Sequence, residues 1–278
     1  MNLQFPLKDV TLFQSDKTLM VNDPLQVSEN WQVGRHEFAL QEEGVGDFFV
    51  RDGNYIEYSP VNGAEPEWVQ LCLNGRVLVA LLHQRKILNF HASSFIYNGL
   101  GIMILGETGA GKSSLTASFT LNGAEFLSDD LTPVIFRKSK PFLWPLYGAI
   151  KIDENTVGQL NIDRKELTAA ESGTGKHYLQ VGHTTLKDHI LNYVLKIEIG
   201  KKNRPEFYEP EPAEKFSLLR SEICSWEMLS GMPETEAEYL HQLLQMVRKV
   251  KIVRVVRPAQ IEIQALHAAI VDHLKISD

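Results

Sequence analysis

The first part of the chain has short apolar runs separated by turn residues, a pattern typical of β-strands. Between residues 26 and 60, the dipeptide Asp52-Gly53 stands between the apolar runs 48–50 and 55–58. An Asp-Gly pair favours the positive φ values of a tight hairpin turn. The pattern therefore predicts a small β-rich lobe, to which we assign residues 1–64.

The spacing then changes to that of a helix. Apolar residues recur at intervals of three and four over residues 68–82, which places them on one helical face. Two apolar runs follow, 87–97 and 100–105, on either side of Asn98-Gly99, and this arrangement predicts a second hairpin. We assign residues 65–278 to a main domain that begins with this helix.

A succession of strand, loop, helix and strand lies at the centre of the main domain. A helix is predicted over 112–121, with Asn122-Gly123 as its stop signal, and a short strand follows over 124–128. This alternation indicates the α/β class. Further strands are predicted over 131–136, 191–199 and 251–256, and further helices over 214–229, 233–250 and 260–274.

Composition excludes several classes of protein. The 278 residues are 44% hydrophobic and 23% charged, which excludes a disordered chain. The net charge of −7 gives no broad attraction to nucleic acid or to an anionic membrane. Neither is expected as a partner, and any phosphate-binding site must be local.

Cysteine usage and the apolar runs indicate a cytoplasmic protein. Cys72 and Cys224 lie far apart among apolar residues, and the sequence has no CxxC or HExxH motif, so we expect two reduced core cysteines and no zinc site. The start of the chain does not have the pattern of a signal peptide. The longest aliphatic run, 77–82, is too short to cross a bilayer.

One motif predicts a phosphate-binding loop. The segment 106–113 fits G-x4-G-K-[ST] and stands between an apolar strand and a helix, as the motif requires. Lys112 would bind the terminal phosphates of a nucleotide and Ser113 a Mg²⁺ ion. The alternative is a glycine turn before an ordinary helix. The predicted nucleotide-binding residues are Gly106, Glu107, Thr108, Gly109, Ala110, Gly111, Lys112, Ser113 and Ser114.

A second Gly-x-Gly-Lys sequence, at residues 173–176, is not a second phosphate loop. No apolar strand precedes it, and Ala170 stands where the motif needs its first glycine. Two interpretations remain: a flexible surface loop, or a mobile loop that closes over the nucleotide and brings Lys176 to a phosphate.

Asp129 and Asp130 follow a short strand at the position where nucleotide enzymes hold the acid that binds Mg²⁺. Adjacent residues of an extended chain point to opposite faces. One carboxylate is therefore expected to face the metal, and its neighbour another part of the site. The alternative is a pair that caps a turn.

His91 is predicted to lie on the strand that pairs with the strand before the phosphate loop. Beside a carboxylate it would orient or tune a general base, because imidazole titrates close to neutral pH. The alternative is a core histidine whose polar atoms are satisfied.

Together these residues resemble the catalytic core of the HPr kinase/phosphorylase family over residues 90–136. His91 stands 21 positions before Lys112 and Asp130 18 positions after it, as in that family. The resemblance implies that His91 assists catalysis, that Lys112 binds phosphate, that Ser113 binds Mg²⁺, and that Asp130 accepts the proton. Apart from the resemblance, Asp129 is a candidate metal ligand and the second candidate base. The resemblance also implies a mixed sheet similar to the nucleotide core of phosphoenolpyruvate carboxykinase.

The chain differs from the family at three places. Ser114 replaces a glutamate, and neither the LEIRGLG segment nor the later basic loop has a counterpart. The segment 145–152 is more similar to divergent HPr kinase-like proteins, some of which resemble peptide-modifying serine kinases of lasso-peptide pathways. Lys151 in this segment is a candidate contact for nucleotide or substrate.

The sequence therefore predicts a kinase that uses ATP and Mg²⁺ to phosphorylate a serine hydroxyl of a peptide or small protein. The alternatives are a small-metabolite kinase and a nucleotide-binding regulatory module without an acceptor. The expected partners are a nucleotide and the acceptor, and a homo-oligomer is compatible with the sequence.

Overall fold

The computed structural model describes residues 3, 5–146, 149–170, 174–181 and 187–276. The chain forms two compact units, one of residues 1–89 with 223–242 and the other of residues 90–222 with 243–278. The first unit thus differs from the lobe expected over residues 1–64. It also includes the helices that follow residue 65 and the later segment 223–242.

The first unit contains a six-stranded sheet in the order β1-β6-β5-β4-β3-β2. All neighbours are antiparallel except β1 and β6, which are parallel. Asp52 and Gly53 join β5 to β6 with φ values of 54° and 67°, which confirms the predicted hairpin. The strands are β1 Thr11–Gln14, β2 Gln26–Val27, β3 Trp31–Val33, β4 Glu37–Glu42, β5 Gly46–Arg51 and β6 Tyr55–Pro60.

The predicted helix over residues 68–82 is present but interrupted. It consists of α1 Pro66–Cys72, a π-helical turn Leu73–Val77 and α2 Leu78–Gln84, with non-helical φ and ψ at Gly75. The residues of α2 from Leu78 to His83 are buried, and α2 packs against β5. This packing explains why the first unit extends beyond residue 64.

The second unit contains a mixed sheet in the order β10-β8-β9-β16-β12-β11, with β18 also paired to β16 and β17 to β18. The central strand β16 is parallel to β9 and β18, whereas β8 is antiparallel to β9. The strands from β7 onward are β7 Leu88–Phe90, β8 Ala92–Tyr97, β9 Leu100–Gly106, β10 Glu125–Ser128, β11 Thr132–Arg137, β12 Lys140–Leu143, β13 Ala149–Asp153, β14 Leu167–Ala169, β15 Lys176–Gln180, β16 His189–Gly200, β17 Glu206–Tyr208 and β18 Lys251–Pro258.

Most predicted helices are present, with shifted ends. The helix expected over 214–229 ends at Ser221 and is followed by a separate 3₁₀ helix, Trp226–Gly231, because the residues between them leave the helical conformation. The division between the units passes through α6. The helices after α2 are α3 Lys112–Leu121, α4 Glu154–Leu160, α5 Pro212–Ser221, α6 Pro233–Lys249 and α7 Ile263–Ile276.

Helix α3 is fixed by apolar packing on two sides. Leu115 and Phe119 belong to a buried cluster with residues of β9, β16 and α7. Ala117 belongs to another cluster that includes Ile150 and Leu179 of the small sheet β13-β15-β14. This small sheet and α4 were not predicted. The residues around α3 therefore hold the loop before it in a fixed position.

Candidate functional site

The loop between β9 and α3 has the backbone of a phosphate cradle. Gly109 and Gly111 have φ values of 83° and 99°, a region that residues with a Cβ rarely adopt. At Gly106, with φ 157°, a Cβ would lie 2.8 Å from the carbonyl oxygen of Ile197. The spacing of the motif is thus matched by a conformation that needs glycine at these positions, and the loop leads directly into the N-terminus of α3.

Lys112 is buried and folds back over the loop that precedes it. Its ammonium donates a 2.7 Å hydrogen bond to the carbonyl oxygen of Gly106 and lies 3.4 Å from that of Glu107. Burial lowers the pKa of Lys112, and the nearby Glu222 carboxylate opposes this effect. The ammonium of Lys112 is therefore held at the start of the loop by backbone carbonyl groups.

Asp129 is a buried carboxylate next to the loop. It accepts hydrogen bonds from the hydroxyl of Ser113 at 3.0 Å, from the backbone N–H of Lys151 at 3.0 Å and from the hydroxyl of Ser93. Burial and the adjacent Asp130 charge raise its pKa to about 6, although its hydrogen bonds favour the charged form. Asp129 and Ser113 together present oxygen donors, which Mg²⁺ prefers.

Asp130 has a different environment from its neighbour. It is exposed, and its φ of 64° places it in a left-handed turn rather than in the extended chain that the sequence predicts. Burial lowers the pKa values of His91 and Lys112, and the negative charge of Asp130 opposes this effect at both residues. The two carboxylates therefore differ in environment because the chain turns at Asp130, and not because adjacent residues of a strand point to opposite faces.

His91 lies between β7 and β8 rather than within a strand, which corrects the prediction of one continuous strand over residues 87–97. Its backbone N–H donates a 2.8 Å hydrogen bond to the carbonyl oxygen of Glu222. Burial and the positive charge of Lys112 lower the pKa of the imidazole. The charges of Lys112 and Asp130 therefore both act on His91.

Two charged residues that the sequence analysis missed belong to this cluster. Lys196 of β16 and Glu222, at the end of α5, form an ion pair in which each side chain is 11% exposed. Their charges act on Lys112 and His91. Lys196 is a lysine within an otherwise apolar run and is in register with Leu105 of β9, next to the loop. This charged residue within an apolar run was the sequence signal that could have identified Lys196. The sequence around Glu222 gives no such signal.

The remaining predicted residues have diverse positions. The Ser114 hydroxyl lies 2.7 Å from that of Thr156, and Glu107 and Thr108 are exposed. The Lys151 ammonium lies 5.8 Å from the ring centre of Tyr178. Lys176 begins strand β15 instead of lying in a loop, and Gly173 lies outside the described residues.

The donors near the loop fit a metal that enters with a nucleotide. In the described parts of the chain, no group of three or more His, Cys, Asp or Glu residues is arranged to hold a metal ion. Mg²⁺ is commonly bound through one or two carboxylates together with substrate phosphates. Asp129 and Ser113 match this requirement.

None of the helices in the described residues combines the length and apolar character needed to cross a membrane.

No protein-family model and no curated protein matches the sequence. Among solved structures, the chain is similar to the HPr(Ser) kinase/phosphatase from Coxiella burnetii, with a TM-score of 0.36 and 11% identity. The similarity covers 68% of this chain and 99% of that one. At this TM-score and identity, the function must be inferred from the site itself.

Proposed function

We propose that the second unit is an ATP- and Mg²⁺-dependent kinase that transfers the γ-phosphoryl group to a serine hydroxyl of a peptide or small protein. One observation carries the proposal: two carboxylates in different environments lie beside the phosphate loop. Asp129 is buried and bonded to Ser113, whereas Asp130 is exposed and coupled to His91. A nucleotide binder needs only the first of these, and a kinase also needs a group that accepts the proton of the attacking hydroxyl.

Each residue has a distinct role in this proposal. Mg²⁺ bound with the nucleotide would neutralise part of the charge on the phosphates. Lys112 and the N–H groups of the loop bind the phosphate oxygens, and Ser113 with Asp129 holds the metal. Asp130, exposed to solvent, accepts the proton from the acceptor hydroxyl at a carboxylate oxygen.

In this proposal His91 assists Asp130, because the charges of Lys112 and Asp130 both act on its imidazole. Asp129 is less suited to be the base because its oxygens already accept three hydrogen bonds. The expected acceptor is a serine of a precursor peptide, as the resemblance to lasso-pathway kinases suggests.

Transfer of label from γ-labelled ATP tests the proposal. The protein is incubated with Mg²⁺ and candidate peptides that carry either serine or alanine at the acceptor position. Asp130→Asn should lower transfer by about 10²-fold or more and leave nucleotide affinity within about threefold of the unmodified protein. Asp272→Asn is the matched control, because this aspartate is exposed on α7.

Two results would contradict the assignment. Label that appears only as free phosphate with every peptide and small hydroxyl compound would favour a regulatory nucleotide switch. Loss of nucleotide binding in Asp130→Asn would make Asp130 a metal ligand and Asp129 the better candidate base.

A further inference from the structure

A cavity of about 540 Å³ opens beside the phosphate loop, entirely within the second unit. This volume lies in the range of about 300–1,000 Å³ that is typical of small-ligand sites. One wall is the loop and the first turn of α3. The second wall is the start of α4, and the third is the segment that joins β18 to α7. The cavity therefore adjoins the site where the phosphates would bind.

Arg257, at the end of β18, lies between this cavity and the loop. Its guanidinium donates a 3.0 Å hydrogen bond to the carbonyl oxygen of Ala110 in the loop and two more to the carbonyl oxygens of Pro258 and Ala259. Burial lowers its pKa. Among the described residues, no carboxylate forms an ion pair with it. A half-buried guanidinium fixed by carbonyl groups and lacking a counter-ion is suited to bind an anion.

The rest of the cavity is lined by polar as well as apolar side chains, and the carboxylates of Asp153 and Glu262 are among them. Leu115, Ile261 and Leu266 provide apolar surface. The Gln159 carboxamide accepts a 3.0 Å hydrogen bond from the backbone N–H of Ile263 and lies 3.3 Å from the Asn155 side chain oxygen. The first bond joins α4 to the start of α7, and the second lies within α4, so both hold the Gln159 carboxamide in place.

We propose that this cavity holds the nucleoside of the nucleotide and that Arg257 binds its α-phosphate. The inference rests on the proposed function, because it takes the loop as the site of the β- and γ-phosphates. Arg257 contacts the loop on the cavity side, which is where the phosphate chain would leave the cradle toward the sugar. The apolar residues would contact the faces of the base, and the amides of Asn155 and Gln159 its polar edge.

Calorimetric binding of Mg²⁺·ATP and of Mg²⁺·tripolyphosphate separates the nucleoside contacts from the phosphate contacts. Ile261→Trp places a larger ring in the cavity, so it should weaken ATP binding at least tenfold and change tripolyphosphate binding less than threefold. Retained tripolyphosphate binding also shows that the variant is folded. Ile190→Trp is the matched control, because this isoleucine is exposed at the start of β16 and does not line the cavity. Both ligands should bind this variant as tightly as they bind the unmodified protein.

Arg257→Met should weaken both ligands about tenfold, because tripolyphosphate also places a phosphate beside the guanidinium, and Arg257→Lys should restore part of the loss. Unchanged ATP affinity in Ile261→Trp would overturn the proposal, and so would equal losses for ATP and tripolyphosphate in that same variant. Failure of the proposed function gives a different result: Lys112→Ala would then bind both ligands as tightly as the unmodified protein.

Discussion

Replacement of Asp129 by asparagine should change the pH dependence of stability. The unfolding free energy of the variant, relative to that of the unmodified protein, should be higher at neutral pH than at acidic pH. Burial raises the pKa of this carboxyl from its ordinary value of 3.8 to about 6, an interval that corresponds to about 3 kcal/mol. The folded protein therefore holds this proton more tightly than the unfolded chain does. The resulting contribution to stability is fully present below pH 3.8 and is lost as the pH rises through about 6.

Asparagine removes this titration. It also replaces the oxygen that accepts the Lys151 N–H, which costs about 1–3 kcal/mol independently of pH. The difference in unfolding free energy between variant and unmodified protein should therefore rise by about 2 kcal/mol from pH 4.5 to pH 7.5. For a chain of this size, this corresponds to a change of about 4–8 °C in the difference between the two melting temperatures.

Scanning calorimetry at four pH values between 4.5 and 7.5, with a chelator present, measures this difference. Groups that titrate identically in both proteins cancel in the subtraction. Asp272→Asn, on an exposed part of α7, should give a difference that is independent of pH. A flat difference for Asp129→Asn would refute the reasoning, because it would show that the carboxyl titrates alike in the folded and unfolded protein.

Three further predictions concern the charges around the loop. Lys112→Ala should abolish phosphoryl transfer and weaken ATP binding by about tenfold or more, as calorimetry and label transfer would show; unchanged turnover would contradict the site. Glu222→Gln should lower the melting temperature, and a double-mutant cycle with Lys196→Met should give a coupling of about 1 kcal/mol or more, whereas additive effects would contradict a functional ion pair. Phosphorylated product incubated with Mg²⁺ and millimolar-range phosphate should lose little label, because holding both anions requires several cations; reversal at the forward rate would contradict this.

Local sequence signals were sufficient to predict three turns and the conformation of the loop before α3. The turn dipeptides Asp52-Gly53 and Asn98-Gly99 and the stop at Asn122-Gly123 depend on backbone preferences of one or two residues, and all three were predicted correctly. The spacing of the loop motif places its glycines where positive φ is required. The interrupted helix was harder to predict, because apolar periodicity does not show the break at Gly75.

Contacts between distant segments were not accessible from the sequence. Lys196 lies beside the loop because of the parallel register of β16 with β9, and Arg257 because of the register of β18 with β16. Glu222 enters the cluster at the end of α5. Lys196 interrupts an apolar run, but its segment alone does not show which residues it lies beside. Arg257 and Glu222 are ordinary charged positions in their segments, so only the tertiary structure shows their places. The small sheet β13-β15-β14 was missed because its strands are short and far apart in sequence.

The charges around the loop explain why a nucleotide would need its metal here. Two cations, Lys112 and Lys196, face three carboxylates, Asp129, Asp130 and Glu222, and Lys196 is already paired with Glu222. A triphosphate added to this cluster would bring more negative charge than Lys112 balances, and repulsion by Asp129 would oppose binding. Asp129 and Ser113 are the residues that would hold a divalent cation brought by the nucleotide, and its charge would offset that repulsion. Nucleotide affinity should therefore depend on Mg²⁺ more steeply in the unmodified protein than in Asp129→Asn, in which the repulsion and the ligand are removed together.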